Sequence, residues 1–486
     1  MRPRRAPSRF LPAALLLAWA ASAGAATVDL RDPELVDSAR ATPVGGALRL
    51  TGIELGPGTG SAVLELERFQ IFAPGAGIVI HGERGEDVLP PPANVYLHGL
   101  LEEDRSIRAT LSVLAGGEVR GMLAGGGRFW ILSNRLAGTP LSSPMVREVD
   151  PAELAADVER FACGNESIAA ATASLRTPPP PAEPYAEPAP AGATTYAATV
   201  AVESDFEYFQ RFGNAVEAVD YAADLVAYSQ VVYAPEVDTE LRVGSVSLWT
   251  TPADPWQQFG TACGLFEFGR YWNDNRDGVP RTLTHFLSGK NNGGGIAWVG
   301  VLCSDEFDFD ITPYNCPGLV PAVDNYGGDY GYSGDLDGNF DLGNPAVLWD
   351  VVVTAHETGH NFNSPHTHCY NGIGGSASPV DMCYGSEPGC YAGPTSLPGP
   401  GCPGPGNGCG TIMSYCHLLT GGIANIDWTF GAGHPYGVLP DRVPDRMNAF
   451  VAATHTGAPA CLPLATLLFT DGFESGDTSA WGSSAN

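Results

Sequence analysis

Two histidines one helical turn apart, with a glutamate beside the first, constrain this chain more than any other feature. Residues 356–366 read His-Glu-Thr-Gly-His-Asn-Phe-Asn-Ser-Pro-His. On a helix, positions i and i+4 share one face, about 6 Å apart along the axis. His356 and His360 therefore point the same way, and Glu357 stands next to the first of them. The preceding run, Ala346-Val-Leu-Trp-Asp-Val-Val-Val-Thr-Ala355, is apolar enough to form the buried first turns of that helix. His366 follows beyond a turn and brings a third imidazole. Three imidazoles with one open position form the donor set of a catalytic zinc rather than a structural one. Glu357 is placed to act on water at that open position.

The pattern H-E-x-x-H-x-x-G-x-x-H with a downstream methionine turn has this mechanical logic. Here Asn363 stands where the pattern has Gly. The position needs a positive φ to bring the third histidine round, and Asn is the side chain that tolerates this best. The downstream methionine lies in Gly410-Thr-Ile-Met413-Ser-Tyr-Cys416. With Asn361-Phe362 and Ser364-Pro365, these residues resemble the reprolysin (adamalysin) branch of the metzincins. The resemblance implies a zinc metalloendopeptidase acting on proteins or peptides. Zinc is then held by His356, His360 and His366, Glu357 is the general base, and Met413 forms an apolar floor under the ligands. Tyr415 is unusual for this branch and resembles the astacin and serralysin branches, where a tyrosine ligates zinc and swings to the transition state. A packed ring with a satisfied hydroxyl is the other reading of Tyr415.

The implied fold class is α/β (α+β): a twisted mixed sheet with long helices and zinc in a cleft, preceded by a β-rich prodomain. Thr199–Ser204 resembles the family's first strand. Asp205 to about Val232 carries Phe209, Phe212, Val216, Val219, Ala223 and Val226 at helical spacing, which predicts one long amphipathic helix. Thr239–Trp249 alternates as a strand. Gly294–Cys303, and within it Gly295, Ile296, Ala297 and Trp298, resembles the edge strand above the cleft. Such an edge can take an extended peptide as an added strand.

The chain has 486 residues, 61 Gly and 41 Pro, with only 16% charged residues, as suits a loop-rich exported protein of two or three domains. Its formal charge of −29, with Lys290 as the single lysine, argues against nucleic acid and anionic membrane surfaces as partners. Arg2, Arg4, Arg5 and Arg9 precede an apolar run from Leu11 to Ala21 and the small residues Ala23-Gly-Ala25. This predicts a signal peptide over 1–25 and a secreted product; a monomer is expected. No later run is long and apolar enough for a membrane span.

Ten of the eleven cysteines fall between Cys263 and Cys461, and Cys163 stands alone upstream. Five bridges downstream leave Cys163 single, which suggests a cysteine switch, its thiolate filling the open zinc position. A bridge to a downstream cysteine or an inert thiol is the alternative. The resemblance pairs Cys303 with Cys461. Residues 26–176 then read as a β-rich propeptide, with short strands at Ala47–Thr51, Ala62–Leu66 and Gly77–Ile80. Val95–Gly99, Ser106–Gly121 and Phe129–Leu132 resemble the reprolysin propeptide. A permanent β-sandwich is its rival. Residues 177–193, rich in Pro, Ala and Glu, form a linker open to activating cleavage. The metzincin domain spans 194–462, and a tail spans 463–486 that reads as either a sorting signal or a docked segment.

Between His366 and Met413 a Gly- and Pro-rich segment carries Cys369, Cys383, Cys390, Cys402 and Cys409, and it shapes the specificity pocket by resemblance. His368 and His417 lie off the ligand spacing and read as surface or supporting histidines. Asp335, Asp337, Asn339 and Asp341 alternate around Gly338 with oxygens that could hold calcium, but the closing Glu of a full motif is missing and a solvated loop is the favoured reading. Asn165-Glu-Ser167 is a glycosylation sequon. Two rival functions fit parts of this pattern: a zinc hydrolase of non-protein amides or cell-wall peptide links, and a secreted calcium-dependent binding protein with a vestigial zinc site.

Overall fold

A computed structural model describes residues 25–154 except 57 and 59, residues 163–172, and residues 195–465 except 400. The expected signal peptide (apart from Ala25), the linker at 177–193 and nearly all of the tail lie outside the described residues. The N-terminal part consists of β1 (Ala26–Asp29), α1 (Leu35–Ala41), β2 (Ala47–Ile53), β3 (Ala62–Phe69), β4 (Phe72–Gly82), β5 (Gly85–Leu89), β6 (Val95–Leu101), β7 (Arg108–Val113), β8 (Val119–Gly125), β9 (Arg128–Leu136) and β10 (Thr139–Glu148). α2 (Asn165–Thr172) follows. The second part contains β11 (Tyr196–Ser204), α3 (Phe206–Gln210), α4 (Ala215–Val237), β12 (Thr239–Trp249), α5 (Thr261–Asn275), β13 (Leu283–Leu287), β14 (Gly295–Ala297), β15 (Phe307–Asp310), β16 (Val323–Gly327), β17 (Tyr330–Ser333), α6 (Val347–Asn361) and α7 (Arg442–Gly457).

Eight strands of the first part form one sheet in the order β1-β2-β3-β6-β7-β8-β9-β10. Alternation sends Leu48, Leu50, Leu64, Leu66, Leu97 and Leu111 to one face, where they pack around Trp130. The opposite face carries Tyr96, Met122, Phe129 and Ile131, which join the core built around α4 and α6. Covered on both faces, β8 is buried along its whole length.

The second sheet is mixed and runs β14-β17-β13-β11-β12-β4-β5. β4 and β5 come from the N-terminal part. β4 lies parallel to β12, with Val246 opposite Ile78 and Leu248 opposite Ile80. The run Gly77–Ile80 therefore belongs to the sheet of the second part, and the expected propeptide and metzincin regions share a sheet. A pairing across about 170 residues leaves no mark in local periodicity.

The expected single helix from Asp205 is two. Gly213 (φ 72) separates α3 from α4, and the Asn214 side chain caps α4 by accepting from the Glu217 amide. α4 then runs on to Val237. It is buried on nearly every face because the N-terminal sheet lies on one side of it and α6 on the other. Among the described residues, no helix is long and apolar enough to cross a membrane.

Five disulfides join Cys263 to Cys316, Cys303 to Cys461, Cys369 to Cys390, Cys383 to Cys416 and Cys402 to Cys409, and they leave Cys163 free and buried. The Cys303–Cys461 pair is the one the resemblance implies. Such bridges belong to oxidising compartments.

Candidate metal centre

α6 is buried from end to end and carries His356, Glu357 and His360. It stops in a Schellman motif. The Ser364 amide donates to the Gly359 carbonyl at 3.1 Å and the Asn363 amide to the His360 carbonyl at 2.8 Å, with Asn363 left-handed at φ 73. Asn at this position thus makes the turn that Gly makes in the general pattern, and the chain swings His366 back onto the helix.

The outer nitrogens fix the tautomers. Nδ1 of His356 donates to the Ile412 carbonyl at 2.7 Å and Nδ1 of His360 to the Ser364 carbonyl at 2.7 Å. A carbonyl can only accept, so each Nε2 carries the lone pair. Nδ1 of His366 lies 2.6 Å from Glu387 Oε2, and its buried Nε2 has no hydrogen-bond partner. One ligand atom each from His356, His360, His366 and Cys163 lies within 4.8 Å of the others, and all four residues are buried. Three imidazole nitrogens and a sulfur, desolvated and converging, fit a zinc ion. Burial and the neighbouring rings of His360 and His366 hold the His356 imidazole well below its usual range, and therefore neutral.

Burial also lifts the Glu357 carboxyl well above the usual range, partly offset by a hydrogen bond from Cys163. Glu357 Oε1 is buried without a partner. A Cβ on Gly295 would come within 2.4 Å of Glu357 Cγ, so the glycine gives the acid its room. Met413 is fully buried below α6, and a Cβ on Gly359 would lie 2.5 Å from its Sδ. Its carbonyl accepts from the Thr367 amide at 3.1 Å, which ties this turn to the segment after His366.

The Cys163 thiol lies 3.4 Å from His360 Nε2 and 3.5 Å from Glu357 Oε2. The residues around it fill the cleft. The Gly164 amide donates to the Gly295 carbonyl at 2.6 Å, and Asn165 Oδ1 accepts from the Ala297 amide at 3.0 Å. Tyr384 donates to Glu166 at 3.0 Å and Tyr314 to the Ser167 carbonyl at 2.7 Å. Of the expected edge strand, Gly295, Ile296 and Ala297 form β14, while Trp298 lies just past its end and packs in the core. Burial of Asn165 leaves no room for a glycan at the sequon. The Tyr415 hydroxyl donates to the Cys163 carbonyl at 2.9 Å, and its ring lies 4.4 Å from that of His366.

His368 and His417 are buried rather than on the surface. His368 stacks on His366 and reaches Glu387 at 2.8 Å, and His417 packs edge-on against Trp349 and Tyr415. Sequence reasoning missed Glu387. It sits in a Gly- and Pro-rich stretch with no periodicity, and only its place between Cys383 and Cys390 marks it. Burial works against its charge, but the His366 and His368 rings outweigh this and hold the carboxyl well below the usual range.

The possible calcium residues do not converge. Asp341 accepts from the amides of Ala137, Gly138 and Gly343, the Asp337 amide donates to Asp350, and Asn339 donates to the Arg211 carbonyl. Among the described residues, no cluster able to hold a metal includes Asp335, Asp337 or Asp341.

Residues 194–420 match the family model of metallo-peptidase family M12, reprolysin type. This stretch is a reprolysin-type metallopeptidase domain. Among solved structures, the chain is similar to metalloproteinase-II from Bacteroides fragilis at 12% identity and a TM-score of 0.33, over 70% of this chain and 88% of that one. No curated protein matches the chain. The metallopeptidase domain is an α+β metzincin fold with its three-histidine cluster between α6 and the methionine turn, and its substrates are proteins or peptides.

Proposed function

We propose that the chain is the secreted zymogen of a zinc-dependent endopeptidase, with Glu357 as general base and Cys163 as its internal block. The convergence of three histidine nitrogens and one thiol beside a desolvated glutamate carries this reading. Export is supported by the basic-then-apolar N-terminus and the five disulfides.

His356, His360 and His366 would hold a zinc ion, which would supply Lewis acidity toward the scissile carbonyl and the attacking water. Glu357, whose burial favours holding a proton, takes one from the water and passes it to the leaving amine. The main-chain groups of β14 that now meet Gly164 and Asn165 pair with an extended substrate once that segment has left. The Tyr415 hydroxyl, then freed from the Cys163 carbonyl, donates to the developing oxyanion.

The test is casein cleavage by the full chain after scission in 177–193, with and without a zinc chelator, beside Glu357→Gln. Cleavage that the chelator abolishes and the variant lacks is expected. Full activity in a zinc-loaded Glu357→Gln protein would sink the assignment.

A further inference from the structure

The three histidines are not held alike. His356 and His360 donate their outer nitrogens to neutral carbonyls, whereas His366 meets a carboxylate. Glu387 is 6% exposed, and the same oxygen, Oε2, faces both His366 Nδ1 at 2.6 Å and His368 Nε2 at 2.8 Å. The two rings stack with centroids 5.2 Å apart and planes 13° from parallel. Disulfides pin Glu387's loop on both sides, Cys383 to Cys416 beside Tyr415 and Cys390 to Cys369 next to His368. A carboxylate on the far nitrogen of a ligand imidazole fixes its tautomer and ring angle and strengthens it as a donor.

Building on the three-histidine reading, we infer that Glu387 is the positioning residue of His366, braced by His368, and that it sets the affinity of the site for zinc. His366 needs this more than its fellows. It lies past the end of α6, on a short irregular segment, so no helix fixes its ring.

The test uses the full chain as wild type, Glu387→Gln, Glu387→Asp and His356→Ala. It reads zinc affinity by competition with a chromophoric chelator, the visible spectrum of the cobalt-substituted protein, and thermal unfolding of the metal-free chain. Glu387→Gln is expected to bind zinc about 10- to 100-fold more weakly, with a shifted cobalt spectrum and unchanged metal-free unfolding. Glu387→Asp is expected to recover part of the affinity. Unchanged affinity and spectrum in Glu387→Gln would overturn the role, as would a loss matched by an equal fall in metal-free stability. Equal binding by His356→Ala and wild type would overturn the three-histidine reading itself.

A second inference rests on sheet pairing alone. Without β4 and β5, β12 is an edge strand. With them, Ile78 enters the core of the metallopeptidase half, and His81 stacks on Trp249 with centroids 4.1 Å apart. Arg120, 2% exposed, pairs with the fully buried Asp224 of α4 at 2.6 Å. We infer that scission in 177–193 frees the 163–172 segment from the cleft but leaves residues 26–154 bound as a permanent non-covalent subunit. A full chain with a site-specific protease sequence inserted at 185 tests this by gel filtration after cutting. Co-elution of the two fragments until urea is added is expected. Separation in native buffer would overturn the inference.

Discussion

Arg446 on α7 grips Asn363 twice, Nε donating to its carbonyl at 2.6 Å and Nη2 to its side-chain oxygen at 2.8 Å. The residue that turns the chain between the second and third histidines is thus held by a helix about 80 residues further on. Asn363→Gly loses one hydrogen bond but relieves the positive φ, so its unfolding free energy should stay within about 1 kcal/mol of wild type. Asn363→Val adds β-branched strain at φ 73 and should cost about 1–3 kcal/mol. Denaturant unfolding of both variants checks the order, and a Val variant as stable as the Gly variant would refute it.

The zinc helix was legible because its signal is local: spacing, the apolar run before it and the Asn at its end all lie within about 20 residues. β12 was equally legible from alternation, with the expected and observed limits both at Thr239 and Trp249. What escaped is long-range. Gly77–Ile80 reads as a strand, but nothing in it names β12 as its partner. Glu387 has a loop's composition around it and acquires its role only when two disulfides bring it to His366. The break at Gly213 was readable in principle, yet the apolar residues on either side keep helical spacing and hid it. In the acidic loop, Asp341 accepts from the amides of Ala137, Gly138 and Gly343, partners that the alternating Asp and Asn pattern does not name.

Gly295 and Glu357 are in such close contact that a methyl group on the first must move the second. Gly295→Ala should therefore lower kcat by about 10- to 1,000-fold, since general base catalysis depends on reach. Zinc affinity should be unchanged, because Glu357 is not among the ligands. Steady-state kinetics beside chelator competition separates the two quantities, and a variant that keeps kcat would show that Glu357 can relocate without loss.

Cys163 is only the first of several holds on the cleft. Gly164, Asn165, Glu166 and Ser167 each keep a hydrogen bond to the metallopeptidase half. Cys163→Ala in the uncut chain should thus raise peptide cleavage measurably, but by less than scission of the linker does. The wild-type thiol, 4% exposed, should react slowly with a thiol reagent until that scission. Equal activity in uncut wild type and uncut Cys163→Ala would remove the thiol from the block.

Glu203 offers a test of buried charge outside the three-histidine cluster. It is fully buried, and its two oxygens accept from Trp249 Nε1 at 2.9 Å and Trp272 Nε1 at 3.1 Å. Burial pushes its carboxyl up to about 8, against the opposing hydrogen bonds from Ser247, Trp249 and Trp272. Between the ordinary glutamate range and about 8, the folded chain keeps a proton that the unfolded chain has released. The protonated acid's contribution to stability is complete below the unfolded pKa and is lost as pH rises through the folded one. The slope approaches about 1.4 kcal/mol per pH unit for one such group. Asp350, pushed up to about 7 by burial, adds a slope of the same sign over part of that window. The informative quantity is therefore a difference. Glu203→Gln, which stays neutral and keeps an oxygen for one indole, should flatten the fall in stability between pH 5 and pH 8 relative to wild type. Urea unfolding across that range measures it, and parallel curves for the two proteins would mean that Glu203 ionises in place or is reached by water.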